Sequence, residues 1–134
     1  MPSSLIPIGV AVVEHRGRYL VGFRGPDGPL AGYAEFPGGK CRPGEPPATC
    51  ACRECQEETG LDVFAVDLLM HRPFTYPHGT FELFFWLCRP VGKVEAIPED
   101  CRGYRWVPAA ELAALHFPDA NLPLIEILSR PPQS

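Results

Sequence analysis

Apolar, β-branched stretches separated by short polar turns are the first pattern along the chain. Residues 8–13 are apolar, 14–18 have the composition of a hairpin turn, and 19–23 return as a second apolar stretch. The longest apolar run, 83–88, has the length of a buried strand. We therefore predict strands over residues 8–13, 19–23, 61–72, 80–89 and 104–107, with a connection around 76–79.

Helical periodicity is clearest in the segment 47–59. It begins with prolines suited to a first helical turn, and Gly60 follows as a typical C-terminal stop. Residues 25–33 are rich in Gly and Pro and are predicted to form a loop. A short helix is predicted over 108–115 and a last helix within 118–130.

Length and charge narrow the class of protein. A chain of 134 residues can form one domain with a real core, so we predict a single domain over 1–134. The net charge of −4 argues against binding of a nucleic-acid polymer, which usually requires a basic patch. No apolar run reaches ~18 residues, so no membrane span is expected. We see no signal peptide, and we therefore expect a cytoplasmic protein whose six cysteines are free thiols.

The predicted helix 47–59 carries three carboxylates on one side. Glu54, Glu57 and Glu58 are three and four residues apart, which places them on one short arc, here named the acidic face. Like charges at this spacing destabilise a helix, and a bound cation would reverse that effect. Hard oxygen ligands favour Mg²⁺ or Mn²⁺. Arg53 can orient Glu57 through a salt bridge, and the alternative interpretation is a solvated acidic surface.

The cysteines of the same helix do not predict a zinc site. Cys50, Cys52 and Cys55 form a C-x-C-x2-C pattern, whereas zinc requires four tetrahedral ligands. Cys50 and Cys52 project to different sides of an α-helix and cannot share a metal without unwinding it. We interpret these cysteines as core residues.

A longer motif surrounds the acidic face. Gly39, five residues, Glu45, seven residues and then the run from Arg53 to Leu61 resemble the Nudix box, G-x5-E-x7-R-E-U-x-E-E-x-G-U, where U is a bulky apolar residue. The one departure is Cys55 at a position usually occupied by Leu, Ile or Val. Cysteine is a small hydrophobic residue, so we expect a slightly underfilled contact and an intact site.

The resemblance implies a fold and a metal site. Nudix proteins have an α/β/α sandwich with a mixed central sheet, and the predicted order of elements fits it. The family's metal ligands correspond to the acidic face and the carbonyl of Gly38, with Mg²⁺ as the expected cofactor. The residues implied in catalysis or metal binding are Glu45 as a supporting residue, Arg53, Glu54 as the first choice for the general base, Glu57, Glu58, and Glu99 or Asp100 from a later loop, of which Asp100 is preferred.

Two further segments resemble the MutT-type branch of the family. These are the runs 35–40 and 117–125, and Arg24 also has the MutT-like spacing from Phe36. The resemblance implies hydrolysis of 8-oxo-dGTP and recognition of the oxidised purine by Asn121, whose amide offers a donor and an acceptor. Phe36, Arg24 and Lys40 are further candidates for substrate binding. The alternatives are a helix cap for Asn121, core packing for Phe36 and an exposed salt bridge for Arg24.

Three hypotheses about function remain open from the sequence. The first is a MutT-like pyrophosphohydrolase that cleans the nucleotide pool. The second is a Nudix hydrolase of another substrate, such as a pyrimidine triphosphate, a dinucleoside polyphosphate or a nucleotide sugar. The third is a non-catalytic nucleotide-binding module, which the intact glutamates of the box disfavour. The expected partner is a nucleotide substrate, and the chain is expected to be a monomer or a homodimer.

Overall fold

The computed structural model describes residues 5–28, 30–77, 79–93 and 96–130. Within these ranges the strands are β1 (Ile6–His15), β2 (Arg18–Phe23), β3 (Ala34–Glu35), β4 (Gly38–Lys40), β5 (Val63–Tyr76), β6 (Gly79–Pro90), β7 (Asp100–Cys101) and β8 (Tyr104–Pro108). The α-helices are α1 (Pro47–Thr59) and α2 (Leu122–Ser129), and two 3-10 helices cover Ala109–Ala114 and Asp119–Asn121. None of the helices in these ranges is long and apolar enough to cross a membrane.

The strands form one mixed sheet in the order β5-β6-β1-β2-β8-β7. The central pair, β1 and β6, is parallel from Ile6 opposite Phe81 to Val13 opposite Cys88. The other strand pairs are antiparallel, and the short strands β3 and β4 add to β2 and β1. The prediction of a mixed α/β fold is therefore confirmed.

Helices cover both faces of this sheet because successive side chains of a strand point in opposite directions. On β1, Val12 belongs to a core cluster with Leu124 of α2 and with Phe117 from the irregular segment between the two 3-10 helices. Its neighbours Ala11 and Val13 belong to a second cluster, with Ala51 and Cys55 of α1. Cys55 is fully buried, as expected for the apolar position of the motif.

Gly9 allows α1 to lie directly on the central strand. A Cβ at this position would be 2.6 Å from the carbonyl oxygen of Pro47 and 2.7 Å from the amide nitrogen of Ala51. Both atoms belong to the helix backbone and cannot move independently of it. The close approach of α1 to β1 therefore requires a glycine here, and it fixes the height of the acidic face above the sheet.

The predicted helix 47–59 and the β1–β2 hairpin are confirmed, and the other elements differ in extent. The strand predicted over 61–72 continues to Tyr76, and the segment predicted as a helix over 108–115 is a 3-10 helix. The last helical segment begins with a 3-10 turn before α2. The segment 38–40, which is not among the predicted strands, is strand β4 because it pairs with residues 8–10 of β1. His78, in the predicted connection around 76–79, lies outside the described residues.

Candidate active site

Helix α1 packs its apolar side chains on the sheet, and its acidic face is only partly open to solvent. Cys50, Ala51, Cys55 and Thr59 are buried, whereas the side chains of Glu54 and Glu57 are 18% and 47% exposed. Gly60 ends the helix in the left-handed conformation (φ 78°) and donates its N–H to Gln56. Arg102, from the turn before β8, donates to the carbonyl oxygen of Glu57 at 2.9 Å. The positive charge of Arg102 is also stabilised by the negative, C-terminal end of the helix dipole.

Arg53 connects the loop before α1 to the acidic face. Its Nε and Nη2 donate to the two carboxylate oxygens of Glu45 at 2.7 and 2.9 Å, and its Nη1 contacts Glu54 at 3.0 Å and Glu57 at 3.1 Å. Only 18% of the Arg53 side chain and 10% of the Glu45 side chain are exposed. The Arg53 hydrogen bonds, together with one from the amide of Arg42, lower the pKa of Glu45 to about 2. Glu45 is thus charged at neutral pH and anchors Arg53.

Glu54 lies against the backbone of β4. A Cβ on Gly39 would be 2.5 Å from the carboxyl carbon of Glu54 and 2.6 Å from its Oε2. The missing side chain at Gly39 therefore makes room for a carboxylate. This contact explains physically why the first position of the motif is a glycine in this chain.

Glu58 is held from two sides through the same oxygen. The amide of Gly38 donates to its Oε1 at 3.3 Å, and the hydroxyl of Tyr104 donates to the same atom at 3.0 Å. Burial, and to a smaller extent the charge of Glu54, raise the pKa of Glu58, these two hydrogen bonds oppose the rise, and the resulting pKa is about 7. Two neighbouring, partly buried carboxylates that repel each other are suited to binding a divalent cation, which would neutralise both charges.

The other predicted ligands are not gathered around this pair. Glu57 is 47% exposed and pairs with Arg53 and, at 3.6 Å, with Arg42. Asp100 accepts a hydrogen bond from the amide of Gly103, and Glu99 pairs with Arg18. In the described part of the chain, no three acidic, histidine or cysteine side chains form a complete metal cluster. Roles in metal binding therefore stay predictions for all the proposed ligands: Glu54, Glu57, Glu58, Asp100 and the carbonyl of Gly38.

A cavity of about 400 Å³ opens beside β4. All four predicted substrate-binding residues line it, together with both glycines of β4 and apolar residues of β1 and β6: Arg24, Phe36, Lys40, Asn121, Gly38, Gly39, Ile8, Val10, Phe81, Leu83 and Phe85. The floor is apolar, whereas Arg24, Lys40 and Asn121 supply polar groups. This composition suits a flat aromatic base with a charged tail.

The alternative roles considered for Asn121, Phe36 and Arg24 were a helix cap, core packing and a salt bridge, and the structure gives a different answer for each. The side chain of Asn121 makes no capping hydrogen bond to α2, and its amide nitrogen lies 3.4 Å from the carbonyl oxygen of Pro118. Phe36 is 7% exposed and stacks on Phe117 at 5.0 Å, so it belongs both to the core and to the cavity wall. Arg24 does form a salt bridge, to Glu35 at 3.2 Å, and it does so at the cavity wall.

Two residues of this region were not predicted from the sequence, Glu35 and Tyr104. Glu35 accepts a hydrogen bond from Arg24 through one carboxylate oxygen, and its other oxygen lies 3.2 Å from the hydroxyl oxygen of Tyr104. The only sequence signal for Glu35 was its position in the MutT-like run 35–40. Tyr104 gave no signal, because it was simply the first residue of a predicted strand.

The six cysteines are free thiols, as predicted. Burial raises the pKa of Cys50 and of Cys55 to about 12 in each case. The Cys50 thiol donates to the carbonyl oxygen of Gly39 at 3.3 Å and so links α1 to β4 beneath the acidic face. These thiols are structural in the sense that they pack and hydrogen-bond within the protein.

Comparison with known proteins identifies the class of enzyme. The NUDIX domain model matches residues 5–127, and the chain therefore belongs to the Nudix family. It is accordingly a hydrolase that acts on phosphoric anhydride bonds, and Nudix hydrolases generally need a divalent metal. The family resemblance inferred from the motif is confirmed.

Its relatives make the assignment more specific. A protein of Escherichia coli (strain K12) named 8-oxo-dGTP diphosphatase is 33% identical over 132 residues, which cover 97% of this chain and 99% of that protein. A protein of the same name from Haemophilus influenzae is 31% identical over 134 residues, covering 96% and 94%. The crystal structure of MutT protein from Methanosarcina mazei Go1 superposes with a TM-score of 0.75 at 22% identity, covers 97% of this chain and 96% of that one, and shows the same fold. The chain is thus a MutT-like Nudix hydrolase.

Proposed function

We propose that this enzyme is a Mg²⁺-dependent pyrophosphohydrolase that converts 8-oxo-dGTP to 8-oxo-dGMP and pyrophosphate, and so removes an oxidised nucleotide from the precursor pool. The observation that carries the proposal is that strand β4 borders both the cavity and the acidic face of α1. Gly38 and Gly39 line the cavity and also contact the acidic face of α1. A nucleotide with its base in the cavity would extend its phosphates towards that face. The names of the two bacterial relatives support the choice of substrate.

Glu54 and Glu58 are the residues that would hold the cation, with Glu57 and the carbonyl of Gly38 as further ligands. When bound, Mg²⁺ supplies neutralisation of phosphate charge and a water of lowered pKa. Glu54 is our candidate for the base that takes the proton of this water. Arg53 keeps the Glu54 carboxylate in place, and Glu45 keeps Arg53 in place.

Recognition of the base is assigned to the side of the cavity that contains Asn121. Oxidised guanine presents a carbonyl O6 next to an N7–H. The Asn121 amide can donate to the first and accept from the second, since it carries both kinds of group. Unmodified guanine has an acceptor at N7, so the second hydrogen bond would be lost. Phe36 supplies an aromatic wall, and Arg24 and Lys40 supply positive charge for the sugar and phosphates.

The test of the substrate is a panel of nucleotides with Mg²⁺, including 8-oxo-dGTP, dGTP, a pyrimidine triphosphate, a dinucleoside polyphosphate and a nucleotide sugar. We expect kcat/KM to be far higher for 8-oxo-dGTP than for dGTP, with pyrophosphate as a product. Equal rates with dGTP, or a preference for any other member, would contradict the proposed substrate. No turnover of the whole panel would favour the non-catalytic alternative.

Asn121→Ala tests recognition of the base. Two hydrogen bonds contribute about 1 kcal/mol each, so kcat/KM for 8-oxo-dGTP should fall by about 10- to 100-fold. The value for dGTP should fall much less. Leu122→Ala is a matched control, because Leu122 is the next residue and 48% exposed. Equal losses on both nucleotides would indicate a structural role for Asn121.

Glu57→Gln tests the assignment of Glu57 as a metal ligand. We expect turnover to be abolished, because this carboxylate would exchange its arginine partners for the cation. Unchanged turnover would remove Glu57 from the ligand set. Mg²⁺ as the preferred metal, a cytoplasmic location and a monomeric or homodimeric state are further predictions from the sequence. Activity with Mg²⁺ against Mn²⁺, cell fractionation and light scattering test them in turn.

A further inference from the structure

The side chain of Tyr104 lies between the acidic face of α1 and the wall of the cavity. Tyr104 begins β8 and is 9% exposed. Its ring packs on Gly22 of β2, where a Cβ would be 2.7 Å from a ring carbon. Gly22 is also the partner of Glu35 in the β2–β3 pairing. The glycine therefore provides the space in which a tyrosine from β8 reaches carboxylates from two other elements.

The Tyr104 hydroxyl is close to two carboxylates at once. It lies 3.0 Å from Oε1 of Glu58 and 3.2 Å from Oε2 of Glu35. A phenol has one proton, so it donates to one of them at a time. Within the described residues, the hydrogen-bond donors to Glu58 are this hydroxyl and the amide of Gly38, and both reach Oε1. Neither donor reaches Oε2 of Glu58, and the carboxyl group of Glu54 is the neighbouring acidic group.

Glu35 continues the connection towards the cavity. Its other oxygen, Oε1, pairs with Arg24 at 3.2 Å, and both residues line the cavity. A chain of polar contacts thus runs from Arg24 through Glu35 and Tyr104 to Glu58. No other side chain in the described ranges donates a hydrogen bond to Glu58.

We propose that Tyr104 is a positioning residue for the metal site. Its hydroxyl holds Oε1 of Glu58, which would leave Oε2 available to a cation, and Glu35 links this arrangement to the nucleotide cavity. The proposal rests on the proposed function insofar as Glu58 is taken as a metal ligand. It assigns no chemical step to Tyr104. Partners that orient a metal ligand typically contribute about 10- to 100-fold to metal affinity.

The experiment is Mn²⁺ binding to the full chain without nucleotide, followed by electron paramagnetic resonance of the free ion. Tyr104→Phe removes the hydroxyl and keeps the ring. We expect the Kd for Mn²⁺ to rise by about 10- to 100-fold. Tyr19→Phe is the matched control, since it removes a phenol from β2 outside the site, and its Kd should equal that of the wild type. A folded Tyr104→Phe variant with wild-type affinity would overturn the proposal.

A second pair of variants separates the hydroxyl from the ring and covers the case in which Tyr104→Phe does not fold. 4-Aminophenylalanine at position 104 restores a donor at the para position, whereas 4-methylphenylalanine has the same shape without a donor. We expect near wild-type Mn²⁺ affinity only for the first. Equal affinity of the two variants would show that the ring acts by packing alone, and would overturn the proposal.

The measurements also distinguish a failure of this proposal from a failure of the proposed substrate. At saturating metal we expect kcat of Tyr104→Phe to fall more than KM for the nucleotide rises. If 8-oxo-dGTP is not hydrolysed, the proposed substrate fails and the Mn²⁺ comparison still decides the role of Tyr104. If the wild type binds no Mn²⁺, the metal assignment of Glu58 fails, and the role of Tyr104 fails with it.

Discussion

Replacing Gly39 by alanine should inactivate the enzyme without unfolding it. A Cβ at this position would lie 2.5 Å from the carboxyl carbon of Glu54, and ordinary contacts between such atoms are about 3.5 Å. The carboxylate must therefore move by about 1 Å. A displacement of this size at a reacting group can cost about 100-fold in rate, or about 2.7 kcal/mol of transition-state stabilisation. Because the displaced atoms are the end of a flexible side chain, the cost in folding free energy should be below about 1 kcal/mol.

The assay combines kcat/KM for the preferred nucleotide with urea unfolding of the same variants. Gly25→Ala is the control for alanine at a glycine, since nothing lies within 4 Å of its Cβ position. Gly9→Ala is the opposite case, because its Cβ would meet helix backbone, and we expect a loss of about 1–3 kcal/mol in unfolding free energy. Gly39→Ala with near wild-type activity would refute the assignment of Glu54 to the chemistry. A large loss of stability would refute the argument that only a side chain is displaced.

Three further predictions concern stability. Hydrogen bonds from Arg53 hold the pKa of Glu45 at about 2, below its usual value of 4.5. The stabilisation of the fold that they confer is therefore complete above pH about 4.5 and is lost as the pH falls towards 2. Acid unfolding measured in EDTA should show this decline in stability, and the decline should be smaller for Glu45→Gln. Phe117→Ala should lower the unfolding free energy by about 3–5 kcal/mol in urea, because this ring is 1% exposed, and a loss below 1 kcal/mol would contradict its place in the core. Mg²⁺ should raise Tm of the wild type by mass action, and a similar rise in Glu58→Gln would argue against Glu58 as a ligand.

Local features of the sequence were sufficient for the elements that carry the site. The bounds of α1 follow from its periodicity, its first-turn proline and Gly60, all of which act within a few residues. The same holds for the turn at Gly17 and for the arc of the acidic face, since helix geometry alone sets it. The pair between Arg53 and Glu57 was predictable for this reason and lies at 3.1 Å.

The sequence did not determine which way each glutamate of the acidic face turns. All three have the spacing of ligands, yet Glu57 turns towards two arginines while Glu58 turns towards β4. This choice depends on how far α1 lies from the sheet, which the contact at Gly9 sets. Strand β4 itself exists because β1 offers it a partner, and a three-residue segment rich in glycine has no strand signal of its own.

The alternation of apolar and polar stretches along the chain determined that strands and helices would form, and the prolines and Gly60 determined where α1 begins and ends. Only the tertiary structure decided that Tyr104 meets Glu58 and Glu35, which are 46 and 69 residues away along the chain. Such contacts depend on the register of β2 with both β3 and β8, and a shift of one residue would turn the tyrosine to the other face of the sheet. Periodicity reports which face of an element is buried, whereas the partners across that face follow from how the strands pair.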